Sequence, residues 1–328
     1  MKILVTGSSG FIGTNLLDHL LQKGVEVCGI DRREPRNRTH LKHFALCDLL
    51  DPNNLENVFH SFRPTAVIHL AARTDLGGKT LNDYESNVAG VRNLMTAIQK
   101  VGSVSRTIYT SSQLVCRVGY VPRHDKEFQP DTVYGESKVL TEKIVRELEG
   151  GCPVWCLVRP TTIWGPEMSD HYRRFLQMIK IGRYFHVGSS PLYKSYGFVG
   201  NTVHQYGQLL EASPEQIHAK VFYLADYKPL SLRAWADAFQ REMEAKKIPQ
   251  YPKFLVNAAA LLGDLINSLG FSAFPFNSFR LRNIVTEYIF DLRETESVCG
   301  PLPYSMEDGV KMTMHWFEGG SSTAQSGT

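Results

Sequence analysis

Three glycines at intervals of three, Gly7, Gly10 and Gly13, stand between the apolar run Ile3–Thr6 and the helical pattern Phe11–Lys23. This G-S-S-G-F-I-G segment constrains the fold more than any other feature of the chain. Glycine at such a junction lets the backbone turn tightly and approach another group closely. The free N–H groups of a helix start then offer donors to a negative charge. Glycines collect in turns anyway, so the weight comes from their place between a strand and a helix.

The alternation continues along the chain. Strands are expected at Val25–Asp31, His43–Asp48, Ala66–Ala72, Arg106–Ser111 and Val154–Arg159, with helices at Asn53–Phe62, Asp83–Val101 and Asp131–Glu149. Near-continuous apolar strands separated by helices imply a parallel sheet covered on both faces, an α/β fold of the Rossmann-type, doubly wound kind. After Pro160 the alternation loosens, and aromatic, Gly- and Pro-rich segments (188–200, 251–254, 271–279) separate isolated helices. The expected organisation is a Rossmann domain over 1–166 and a smaller C-terminal substrate-binding lobe, mainly 167–318. A segment near 194–225 returns to the sheet through the strand-like Val221–Ala225, and residues 319–328 read as a disordered tail.

Composition removes several function classes. At 328 residues, 43% hydrophobic and 21% charged, the chain is ordinary globular material with room for a large core. A net charge of +3 is too mild to imply nucleic acid or a membrane surface. The six cysteines lack C-x-x-C spacing, so buried free thiols are favoured over disulfides and no metal site is expected. In the apolar stretch from Phe254 to Phe271, Leu255, Ala259, Leu262, Ile266 and Leu269 recur at helical spacing. That pattern predicts an amphipathic helix and no membrane span, which would need roughly 20 apolar residues. Met1 leads straight into a strand without signal-peptide architecture, and a cytoplasmic location is the expectation.

Asp31 lies eighteen residues beyond Gly13, at the end of the second strand. A carboxylate there can accept hydrogen bonds from both hydroxyls of an adenosine ribose, which makes the glycine segment a dinucleotide site and Asp31 more than a turn residue. Asp31 would repel a 2′-phosphate, which favours NAD over NADP. Arg32 and Arg33 pull the other way, unless Arg32 stacks on adenine or belongs to a solvated loop. Asp48, ending the third strand, suits either the adenine amino group or a plain turn.

Tyr134 and Lys138 stand four apart at the start of a helical pattern, on one face and one turn apart. An ammonium beside a phenol favours the phenolate, an oxidised nicotinamide adds more positive charge, and together they should lower the tyrosine from its usual pKa of about 10. Tyr134 can then take a hydroxyl proton while hydride leaves the carbon, with Ser112, ending the fifth strand, hydrogen-bonded to the same oxygen. Y-x-x-x-K alone is a poor signal. In order along the chain, however, come the glycine segment, Asp31, His69-Leu-Ala-Ala72, Asn87-Val-Ala-Gly90, Tyr109-Thr-Ser-Ser112, Tyr134-Gly-Glu-Ser-Lys138 and Arg159-Pro160…Gly165-Pro166.

This series resembles the extended short-chain dehydrogenase/reductase superfamily, in its NAD-dependent epimerase/dehydratase branch of UDP-galactose 4-epimerase-type enzymes. The resemblance spans roughly residues 1 to 318. It implies Tyr134 as acid/base, Lys138 on the nicotinamide ribose, and Ser112 polarising the reacting oxygen. It also implies cofactor contacts from Gly7, Gly10, Phe11, Ile12, Gly13, Asp31, Arg32, Asp48, Leu49, Leu70, Ala71, Ala72, Asn87, Thr110 and Pro160. Similar proteins pair the helices containing Asn87–Gln99 and Tyr134–Glu147 into a homodimer, although their apolar positions suit packing on the sheet equally.

Departures from the pattern bear on the reaction. Gln113 and Leu114 replace the Asp-Glu pair of the 4,6-dehydratases, which sets dehydration aside, and Cys116 replaces a usual tyrosine. Thr162 stands where many sugar-nucleotide enzymes place an asparagine that reaches substrate. Lys194 falls where 4-epimerases place an arginine on the substrate diphosphate, and Arg280 or Arg282 near another; a solvated surface is the competing reading for all three. The resemblance implies a nucleotide-sugar epimerase. The alternative is a net oxidoreductase of the 3β-hydroxysteroid dehydrogenase, dihydroflavonol reductase or keto-sugar reductase type. A non-catalytic NAD-binding sensor fits poorly with an intact Ser112, Tyr134, Lys138 set.

Overall fold

The computed structural model describes residues 1–268 and 278–322, with backbone only for residues 171, 267, 279, 280, 283, 284 and 320–322. Seven parallel strands form the central sheet: β1 (Lys2–Thr6), β2 (Glu26–Asp31), β3 (Phe44–Leu46), β4 (Ala66–His69), β5 (Arg106–Thr110), β6 (Val154–Pro160) and β7 (Val221–Leu224). Their order is β7-β6-β5-β4-β1-β2-β3, so the winding direction reverses between β1 and β4. β1 pairs with β2 on one side (Val5 opposite Gly29) and with β4 on the other (Thr6 opposite His69). In open parallel sheets the crevice at the carboxyl ends of two such strands is where ligands bind.

Alternate β1 side chains feed two cores. Ile3 and Val5 pack with Leu16, Leu17 and Leu20 of α1 (Phe11–Gln22), whereas Leu4 packs with residues of α2 (Pro52–Phe62), α3 (Glu85–Val101) and α4 (Val133–Glu147). Fully burying one such aliphatic side chain contributes about 1.5–3 kcal/mol. The first core does not stop at the sheet. It runs through Trp164, Phe198, Trp235 and Phe239 to Val310 and Phe317, so the second lobe shares one continuous apolar interior with this face. That lobe holds α5 (Asp170–Lys180), α6 (Val199–Glu211), α7 (Leu232–Glu242), α8 (Lys253–Ser268), α9 (Ser278–Val285), α10 (Arg293–Cys299) and α11 (Met306–Ser322). α6 returns to pack on α1, and β7 pairs with β6 as the returning strand.

Several boundaries differ from the sequence reading for local reasons. β4 ends at His69, not Ala72, because the Ala71 N–H leaves the ladder and donates to the Thr6 hydroxyl at 3.1 Å. α2 starts at Pro52, whose missing N–H is harmless in a first turn, behind the Asp51 cap that accepts from the Asn54 N–H. α3 begins at Glu85 because a 3₁₀ turn, Leu81–Tyr84, precedes it. The tail reading is corrected at its start: α11, anchored by Val310, Met314 and Phe317, propagates through Ser322. Residues 323–328, like Leu269 and the 271–277 part of the aromatic segment, lie outside the described residues.

α8 also corrects an expectation. The helix forms, but its apolar stripe is not what the fold buries: Val256 and Ala260 pack against Leu281 of α9, while Leu255, Ala259 and Leu262 face outward.

Candidate active site

The glycine loop is built for close approach. Gly7 has φ +70°, and a Cβ on it would lie 2.6 Å from the Ala71 nitrogen; one on Gly13 would lie 2.2 Å from the Gly7 carbonyl oxygen. Gly10 caps α1 with no side-chain acceptor, so the first-turn N–H groups of Phe11, Ile12 and Gly13 remain for an outside anion. Asp31, half-buried at the lip of the loop, accepts from the Ser9 N–H at 3.3 Å and the Arg33 N–H at 3.0 Å. Arg32 and Arg33 are exposed beside it. These residues fit a dinucleotide: the α1 start would hold its pyrophosphate and Asp31 its ribose.

The flanking positions divide. Leu70 and Ala71 run along the loop, tied to Thr6 by their N–H groups, and Ala72 follows, half-buried. Asp48 accepts from the Leu50 N–H at 3.0 Å through one carboxylate oxygen. Leu49 is buried against Gly90, and its carbonyl accepts from Asn93. Asn87 is a clamp: its amide exchanges two bonds with the Arg73 backbone and donates to the Ser137 hydroxyl at 3.0 Å. It thereby ties the segment after β4 to α4.

Ser112 and Tyr134 are brought together by tight backbone packing. Thr132 caps α4 by accepting from the Gly135 N–H at 3.0 Å, and a Cβ on Gly135 would come within 2.3 Å of the Leu114 carbonyl. The first turn of α4 therefore presses on the turn that follows Ser112. Tyr134 has the Ser112 side chain near its hydroxyl and lies 6.0 Å, centroid to centroid, from Tyr84. The Lys138 ammonium is buried and donates to the Thr110 carbonyl at 2.8 Å.

The polypeptide by itself does not lower Tyr134; the expected lowering counted the charge of an oxidised nicotinamide as well. Burial pushes the phenol up to about 12, the Ser112 side chain opposes this, and Tyr84 adds to it. Burial pushes Lys138 down to about 8 against the pull of Glu142. Desolvation disfavours the charged form of each group, and the ammonium is committed to a carbonyl rather than to the phenol. His69, hydrogen-bonded to Thr6 at 2.8 Å, is held neutral by burial and by Lys138, down to about 3.

One part of the site escaped the sequence reading. Arg159, the residue before Pro160, grips Glu142 of α4 through two bonds of 2.8 Å, with both side chains fully buried. It also donates to the Asp125 carbonyl and the Tyr223 hydroxyl. Tyr134, Lys138 and Glu142 stand four apart on one helix, and that stripe was the available signal.

On the substrate side, Tyr288 links the positions singled out in sequence. Its hydroxyl lies 3.2 Å from Thr162 Oγ1 and 3.4 Å from Gln113 Nε2, directly after Ser112. Gln113, Leu114 and Cys116 face Tyr288 and Phe290 across a small cleft. Lys194 is only 2% exposed, with Nζ 5.0 Å from the centroid of the Tyr288 ring, so the solvated-surface reading fails for it. Arg282 is exposed on α9, and the Arg280 side chain lies outside what the structure describes.

Residues 3–195 match the NAD dependent epimerase/dehydratase family. The chain belongs to it. A 3-beta-hydroxysteroid dehydrogenase of Mycolicibacterium neoaurum is 31% identical over 72% of the chain and 68% of its own length. An Escherichia coli O157:H7 enzyme, N-acetyl-alpha-D-glucosaminyl-diphospho-ditrans,octacis-undecaprenol 4-epimerase, is 24% identical over 96% of the chain and 95% of its own length. In structure, the UDP-glucose 4-epimerase of Thermotoga maritima, solved with UDP-glucose, superposes with a TM-score of 0.75 at 20% identity. It covers 98% of this chain and 100% of its own. The chain is thus an enzyme of this NAD-dependent family, whose members similar to it include both isomerases and oxidoreductases. Among the described residues no helix is long and apolar enough to cross a membrane.

Proposed function

We propose that the chain is an NAD-dependent nucleotide-sugar epimerase in which Tyr134 is the acid/base. The chemistry NAD supplies is reversible hydride acceptance, from a sugar carbinol carbon and back to its opposite face. Tyr134 removes and restores the hydroxyl proton, Ser112 holds the same oxygen, and Lys138 fixes the end of β5 beneath them through Thr110. The carrying observation is Lys194: an ammonium buried one tyrosine away from Gln113 and Thr162. Attraction between opposite charges is several-fold stronger there than in water, which suits a diphosphate. Burial also brings Lys194 down to about 8, so an anion arriving beside it favours the charged form.

The test is turnover of a panel of nucleotide sugars. The right one should be isomerised with no lasting NADH absorbance. Lys194→Ala should raise its KM about 10- to 100-fold, the loss of a charge-assisted contact of roughly 1.5–3 kcal/mol, with NAD affinity unchanged. The net-oxidoreductase reading is favoured by the 31% identical steroid dehydrogenase. One-for-one cofactor consumption, with indifference to Lys194→Ala, would establish it instead.

The proposal includes NAD over NADP, supported by Asp31 at the lip of the glycine loop. Asp31→Ser should narrow the calorimetric preference by removing charge repulsion. A wild-type preference for NADP would mean that Arg32 or Arg33 governs the site. It also includes a homodimer through the outer faces of α3 and α4, where Ala89 and Leu140 stand half-buried; light scattering decides between one copy and two.

A further inference from the structure

We propose that the face formed by α8 and its flanks docks the second lobe onto the surface of an anionic phospholipid bilayer. Along α8, Phe254 is 69% exposed, Leu261 64% and Leu262 61%, with Leu255 and Leu265 also half or more in water. Isolated exposed apolar residues are ordinary, but five large ones on one short helix form a patch of the kind that marks an interaction site. The helix has 16 residues, about 24 Å, and lies along the surface rather than through it.

Charge selects the occupant. Residues 245–286 contain five bases, Lys246, Lys247, Lys253, Arg280 and Arg282, and one acid, Asp264. Exposed Glu244 and Glu287 bound this segment, so the excess of base is confined to it. Asp264 is turned inward, accepting from the Ser278 N–H at 3.2 Å. Lys246, Lys247, Lys253 and Arg282 are exposed. Ile181, 58% exposed, precedes Gly182, which abuts Lys246. An apolar helix face rimmed by lysine and arginine has the make-up of a helix lying in the headgroup region, its rim drawn to anionic lipid. A second copy of this face would set the two rims of like charge against each other.

This proposal stands apart from the hydride chemistry, and its test needs no substrate. The full chain is sedimented with phosphatidylglycerol–phosphatidylcholine vesicles and with pure phosphatidylcholine vesicles, at low and high salt. Binding to the anionic vesicles that weakens with salt is expected, and at least about 10-fold weaker binding for the Leu261→Ser, Leu262→Ser double variant. Lys246→Ala with Lys247→Ala should lower anionic-vesicle binding and flatten its salt dependence. Circular dichroism and NAD binding should not change in either variant. Wild type that stays in the supernatant, binds both vesicle types equally, or binds no better than the leucine variant overturns the proposal. So does a change in oligomeric state as the only effect of the leucine variant.

Discussion

Tyr134→Phe is expected to lose turnover by at least about 10²–10⁴-fold while folding normally and still binding NAD. The substitution keeps the ring that packs near Tyr84 and deletes only the hydroxyl near Ser112. The neighbouring tyrosine hydroxyls are engaged elsewhere: Tyr84 spends its own on the Asp75 carbonyl, and Tyr206 shares a bond with Thr110. Ser112→Ala should cost less, because one donor to the reacting oxygen is worth roughly 2.7–4 kcal/mol at most. Turnover numbers, together with NAD affinity by calorimetry, separate lost chemistry from lost binding. Near-normal turnover in Tyr134→Phe would remove the tyrosine from the mechanism.

What could be read from sequence here is what backbone geometry or periodicity dictates. Gly7, at φ +70° against Ala71, tolerates no side chain, so its function shows in its identity. The strands of the sheet show as apolar runs because helices cover both faces. Features that depend on what a distant segment brings were hidden. For Lys194 a solvated surface competed with a substrate contact, because nothing local announces that Tyr288 lies over it. The outward turn of the α8 leucines was equally invisible, since Leu255, Ala259, Leu262 and Ile266 and the neighbouring Val256, Ala260 and Gly263 both keep helical spacing in so apolar a segment. The partner of the Lys138 ammonium was hidden for a related reason. Spacing of four residues places the ammonium one turn away, but only the fold shows that it donates to Thr110.

The Arg159–Glu142 pair carries the second large effect. Removing either partner, as in Arg159→Ala or Glu142→Ala, leaves an uncompensated charge in the interior and should cost about 3–5 kcal/mol of stability. The thermal midpoint should fall by on the order of 5–10 °C. Replacing both with apolar residues of similar size, Arg159→Met with Glu142→Leu, should recover much of that loss, because the desolvation of two charges is then no longer required. Position gives the pair a second consequence. Glu142 lies one turn beyond Lys138 and two beyond Tyr134, and Arg159 leads directly into Pro160 at the carboxyl end of β6. A double variant that regains stability therefore still lacks the clamp registering α4 against β6. Its kcat should remain below wild type with NAD affinity intact, whereas a pair that serves stability alone would restore both. Single variants that melt like wild type would show that the buried charges are not coupled as the 2.8 Å contacts require.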